Sequence, residues 1–312
     1  MKSYKELWAL DPEIIFLNHG SFGACPTAIL EKQSEMRREL EANPMDFLHR
    51  TLETRLDAAR QRLADFIGCK FENLVFVPNA TSGVNAVLQS LPFNQTDEVI
   101  VTNHEYNACR NTLNYVAQQR GFKVVEVQIP YPVQKIDEVV NPVLEAFTPR
   151  TRLLLLDHIT SATGLIMPIE PIIQECNHRG VETLIDGAHG PGMVNLQLEK
   201  LGVTYYTGNC HKWICTPKGS ALLYVRSEKI ENIRPTVISH GYNTLRSDRS
   251  KFLIQFGWTG TLCPTPWLCI PETIDYLGRV IPGGWSAIME RNHSLVLLGR
   301  DIICKSLNVP PP

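Results

Sequence analysis

The chain has 312 residues, nine cysteines and a formal net charge of −2, with 44% hydrophobic and 20% charged residues. A balance this close to neutral, without a dense basic run, argues against a nucleic-acid-binding protein. The longest apolar runs, such as Leu153–Leu156, are too short to span a bilayer, and the cysteines form no CxxC pair, so they read as reduced thiols of a cytoplasmic protein.

In chain order, the N-terminal stretch Met1–Leu10 mixes Lys2, Lys5 and Glu6 with apolar residues and lacks a signal-peptide core. Two helices are predicted next, Thr27–Ala42 and Asp46–Ile67, broken at Asn43-Pro44. Short apolar segments rich in Leu or β-branched residues follow at Asn73–Val77, Glu98–Thr102, Lys123–Ile129, Arg152–Asp157, Glu182–Asp186, Val203–Thr207 and Ala221–Val225. Helical spacing separates several of them, over Ser82–Ser90, Asn107–Arg120, Lys135–Phe147 and Ile169–Arg179. Such alternation predicts βαβ units and an α/β fold with a mostly parallel sheet. Ile281-Pro282-Gly283-Gly284 is a loop signal. Trp285–Leu307 then reads as one long amphipathic helix.

Open parallel sheets bind ligands at the carboxyl ends of their strands. Polar clusters stand there after five of the predicted strands: Asn79–Ser82, His104–Asn107, Asp157–Thr163, Asp186–His189 and Asn209–Lys212. An aspartate, a histidine and a lysine on neighbouring strand ends suit pyridoxal phosphate (PLP). The Lys212 amine would form a Schiff base with the cofactor aldehyde. Asp186 would keep the pyridine nitrogen protonated, and His189 would hydrogen-bond the ring oxygen. Each has an ordinary reading as well: a solvated lysine, a turn aspartate before glycine, a loop histidine. Asn79 to Gly83 are good helix-capping residues, and a capped helix start also makes a phosphate site. Neither GxxxxGK nor GxGxxG occurs, so a nucleotide is not favoured. Tyr106 is placed to stack on a flat ring, or to be an ordinary half-buried tyrosine. His104-Glu105 begins like a zinc HExxH motif, but residue 108 is alanine, so no metal is expected.

Phe16–Gly23, Asn79–Asn85, His104–Asn107, Asp157–Thr163, Asp186–His189 and Gly208–Trp213 together carry a resemblance. From about residue 10 to 270 the chain resembles the class V aminotransferase-like group of fold-type I PLP enzymes, and within it the isopenicillin N epimerase-like branch. The resemblance implies a three-layer PLP-transferase large domain over residues 21–280. It implies an N-terminal arm at the active-site entrance over residues 1–20, and the start of a truncated C-terminal small domain over 281–312. Lys212 would carry the cofactor, Asp186 would pair with the pyridine nitrogen, and His189 would meet the ring oxygen. Tyr106 would stack where related desulfurases place a histidine. Ala80 and Thr81, with Asn209 and His211, would hold the phosphate. Thr261 would cross a homodimer interface to the partner's phosphate, and Asn18, His19 and Ser21 would line the substrate entrance.

Two departures stand out. Ser161 occupies the place of a cofactor-contacting asparagine in many desulfurases. The chain also ends before the family's carboxylate-binding arginine and the active cysteine loop of the desulfurases. The activity implied is that of a PLP enzyme acting on an amino acid. The alternatives are a cysteine desulfurase or carbon–sulfur lyase, and an inactive PLP-binding remnant.

Overall fold

A computed structural model describes residues 4–311. Residues 1–3 of the expected N-terminal arm, and residue 312, lie outside it. Seven strands form one sheet: β1 (Leu74–Val77), β2 (Glu98–Thr102), β3 (Lys123–Val127), β4 (Thr151–Asp157), β5 (Glu182–Asp186), β6 (Tyr205–Asn209) and β7 (Ala221–Val225). Their order is β1-β7-β6-β5-β4-β2-β3. β3, β2, β4, β5 and β6 run parallel, and β7 is antiparallel to both its neighbours. The α/β class and the mostly parallel sheet expected from the alternation are both present.

Strand periodicity sorts the core into two. Leu74, Phe76, Leu154, Leu156, Ile185, Tyr206 and Leu222 face a core that includes Leu56, Leu63 and Ile67 of the Leu52–Ile67 helix, and Ile172, Ile173 and Cys176 of the Ile169–Arg179 helix. Val75, Val77, Val99, Val101, Leu153, Leu155 and Leu184 face the other. There they meet the Ala80–Ser90, Asn107–Arg120 and Lys251–Gly257 helices. Successive strand residues point to opposite faces, so a sheet covered twice reads as a continuous apolar run. Every residue of Leu153–Leu156 is fully buried.

Several expected boundaries move. The Asp46–Ile67 helix is π-helical over Asp46–Thr51 before it becomes α-helical. The Thr51 hydroxyl bonds back to the Phe47 carbonyl there (3.3 Å), an interaction that competes with the helix ladder. β3 stops at Val127 because the Asn103 side chain takes both the amide and the carbonyl of Ile129. β6 lies two residues further on than expected and ends on Asn209, opposite Ala221.

The helix Ala80–Ser90 sits hard against β6. A Cβ on Gly83 would come within 2.2 Å of Thr207 Oγ1, so only glycine permits this approach. The close contact brings the helix start to the end of β6, where Asn209 and Lys212 follow. Among the described residues no helix is long and apolar enough to cross a membrane.

Candidate active site

The carboxyl ends of β2, β4, β5 and β6 open onto a cavity of about 290 Å³. Ser21, Ala80, Thr81, Tyr106, Asp186, His189, Asn209, His211 and Lys212 all line it, with Asp157 and Ser161. Topology explains this convergence. Parallel neighbours end on the same edge, and Asp157 pairs in register with Asp186.

At one end stands the start of the Ala80–Ser90 helix. The Asn79 side chain accepts from the Ser82 amide (2.8 Å), and the Asn209 side chain accepts from the Ala80 amide (2.8 Å). The amide of Thr81, in the first turn, has no acceptor within the helix. That amide, the Thr81 hydroxyl and the helix dipole suit an anion. Asn209 therefore serves this end by orienting the helix start. His211 Nδ1 lies 2.8 Å from the Ser220 carbonyl, which fixes its ring at the cavity edge.

At the base lies Asp186, 2% exposed. One carboxyl oxygen accepts from the Ala188 amide (2.9 Å) and the other from the Cys109 thiol (3.0 Å). Burial raises its pKa, while the thiol, the Ala188 amide and the Lys212 charge pull the other way. A dry carboxylate with only one weak and one ordinary donor is suited to a cationic partner from the cavity side.

Lys212 faces it. Burial lowers its pKa and so favours a free amine, while Asp186 pulls toward the charged form. Its Nζ is 3.1 Å from His189 Nε2. His189 is held neutral: burial, then the Lys212 charge, push its pKa down to about 4. The Trp213 indole N–H, a donor only, bonds His189 Nδ1 at 3.2 Å. The remaining proton of neutral His189 then sits on Nε2, beside Lys212 Nζ, to which it donates when that amine is unprotonated. Trp213 thus fixes the tautomer of the histidine that touches the lysine.

The other expected residues are more spread out. Tyr106 is 44% exposed at the cavity edge. Ser21 lines the cavity and bonds Asn18 (2.9 Å). His19 lines a neighbouring cavity of about 270 Å³, and its Nε2 meets the Lys212 carbonyl at 2.8 Å. Thr261 lines a separate cavity of about 690 Å³ with Arg60, His240 and Arg249. Sequence reasoning assigned no site role to Cys109 or Glu105.

A phosphate seat, a buried carboxylate and a lysine amine around one cavity fit PLP. A family model described as aminotransferase class-V matches residues 15–298. The chain belongs to the aminotransferase class V family. The family's cofactor, PLP, is the one these residues fit. Among class V relatives, the isopenicillin N epimerase of Amycolatopsis lactamdurans is 34% identical, over 95% of this chain and 77% of that protein. A probable chloroplastic L-cysteine desulfhydrase of Arabidopsis thaliana is 28% identical, over 96% of this chain and 66% of its own length. A solved C-DES mutant with glycine covalently linked to its PLP shares the fold, with a TM-score of 0.77 and 23% identity, over 85% of this chain and 71% of that one.

Proposed function

We propose that the protein is a PLP-dependent enzyme that binds an amino acid and moves a proton at its Cα, in the manner of the epimerase-like branch. The observation that carries this reading is Lys212 Nζ, 3.1 Å from the neutral His189 and in the same cavity as buried Asp186. Bound there, the cofactor would supply an electron sink for the carbanion left at Cα. Asp186 would hold negative charge against the ring nitrogen. His189 would donate from Nε2 to the ring oxygen or to the lysine. Thr81 and the helix start would hold the phosphate, and Tyr106 would cover one face of the ring. Lys212, with its depressed pKa, would take the Cα proton and return it. A homodimer is part of this reading, with Thr261 serving the partner's phosphate. Thr261→Ala should then weaken PLP retention, and unchanged affinity would remove the shared site.

The competing reading is a carbon–sulfur lyase, favoured by the desulfhydrase relatives. No cysteine of the described residues lines the cavity. Cys109 lies behind Asp186 with its thiol pushed up by burial. Elimination of sulfide needs no thiol, whereas a persulfide route does.

The test is Cα hydrogen exchange. Protein supplied with PLP is incubated with a panel of amino acids in D2O and followed by proton NMR, chiral chromatography and sulfide assay. Exchange with inversion supports the epimerase-like reading, and sulfide with a keto acid supports the lyase. Covalently bound PLP with neither exchange nor elimination would leave the inactive remnant.

A further inference from the structure

Glu105 lies three residues after β2 and is 9% exposed, and neither of its carboxyl oxygens accepts from a donor group; its one side-chain partner is the Asp157 carboxyl, an acid–acid contact that needs a proton on one of the two. One of those oxygens, Cys109 Sγ and an Asp186 oxygen all lie within 4.8 Å of one another. Asp157, in register beside Asp186, is 2% exposed and has an unpartnered oxygen of its own. Three carboxyl groups therefore share one dry region behind the cavity. Few opposing groups face it. Arg110 bonds the Thr102 carbonyl and Glu126, and Lys212 stands across the cavity from Asp186. From β6, Tyr206 approaches with a phenol already bonded to His158.

Three negative charges cannot coexist there, because each is desolvated and repels the others. The donors decide which acid keeps its charge. Asp186 has the Ala188 amide, the Cys109 thiol and Lys212, while Glu105 has none. We propose that Glu105 is a positioning residue, held as a neutral acid behind Asp157 and Asp186, and that its bound proton leaves Asp186 free to present its charge to the cavity. This inference rests on the PLP reading for its effect on the cofactor, but not for the protonation itself. Burial and the neighbouring Asp157 and Asp186 push the Glu105 carboxyl well above the usual range, in keeping with the geometry. A cation held by Glu105, Cys109 and Asp186 is a poor alternative, since Cys109 already donates to Asp186 and its thiol is pushed far up.

The experiment compares wild type, Glu105→Gln and Glu105→Ala. Thermal unfolding of the cofactor-free proteins is followed from about pH 5 to 9. PLP affinity and the pH titration of the bound-PLP absorption band are measured on the loaded proteins. A folded-state pKa raised above the ordinary 4.5 gives stability that is complete below that value and lost as pH rises. Glutamine keeps the shape and cannot ionise, so the melting-temperature advantage of Glu105→Gln over wild type should grow with pH. The same variant should keep the band's titration and bind PLP within about twofold of wild type, whereas Glu105→Ala should weaken binding roughly tenfold and shift the titration. A melting difference that does not change with pH would overturn the neutral acid, as would stoichiometric metal by elemental analysis. A band titration moved as far by glutamine as by alanine would overturn the positioning role. If wild type fails to take up PLP, the PLP reading fails while the unfolding series still decides the protonation of Glu105.

Discussion

Replacing Lys212 by alanine should leave a folded protein that holds PLP only reversibly and has lost Cα exchange by at least about 10³-fold. The lysine has two expected duties: it makes the covalent link to the cofactor, and it moves the proton. Its loss costs the fold little, because its pKa is already depressed by burial and its amine bonds a single neighbour, His189. Borohydride followed by peptide mass mapping reads the first duty. Wild type should gain a pyridoxyl mass on the peptide containing Lys212, and the variant should gain none. D2O exchange reads the second. A variant that still exchanges Cα hydrogen at the wild-type rate would assign the proton to another group and sink the mechanism.

Asp186→Asn should separate function from stability in opposite directions. The amide keeps the shape but removes the charge expected to hold the ring nitrogen protonated, which should cost turnover about 10²–10³-fold. The cofactor-free protein should gain stability. Asp186 is buried with its folded pKa raised from 3.8, so its contribution is complete below that value and lost as pH rises. At neutral pH the variant should melt higher by a few degrees, on the order of the effect of 1 kcal/mol in a chain of this size. Above pH 4 the gain should widen. Calorimetry across pH checks it, and a variant less stable than wild type at pH 8 would show that the carboxylate is structurally required.

Much of this site is legible in sequence because parallel strands present their carboxyl ends to one edge. Asp186, Asn209 and Lys212 follow strand-like runs, and once the strands are placed their side chains must meet. What stays hidden depends on register and helix packing. Nothing local links Cys109 to Asp186, 77 residues apart, or marks Trp213 as the group that sets the His189 tautomer. The π-helical start at Asp46 is accompanied by a Thr51 hydroxyl bond to the Phe47 carbonyl, and helical periodicity is blind to both.

The bond between His19 and the Lys212 carbonyl closes a loop of 193 residues. A Cβ on Gly23 would fall within 1.9 Å of the His211 carbonyl, so the early segment is seated on the same short helix that carries the lysine. Contacts this distant along the chain are slow to form, because the chain between them must first lose its freedom. The peptide that presents the nucleophile is thus completed by a segment far upstream in the chain, which is expected to find its place late. In refolding, competence to bind cofactor should trail the appearance of the sheet.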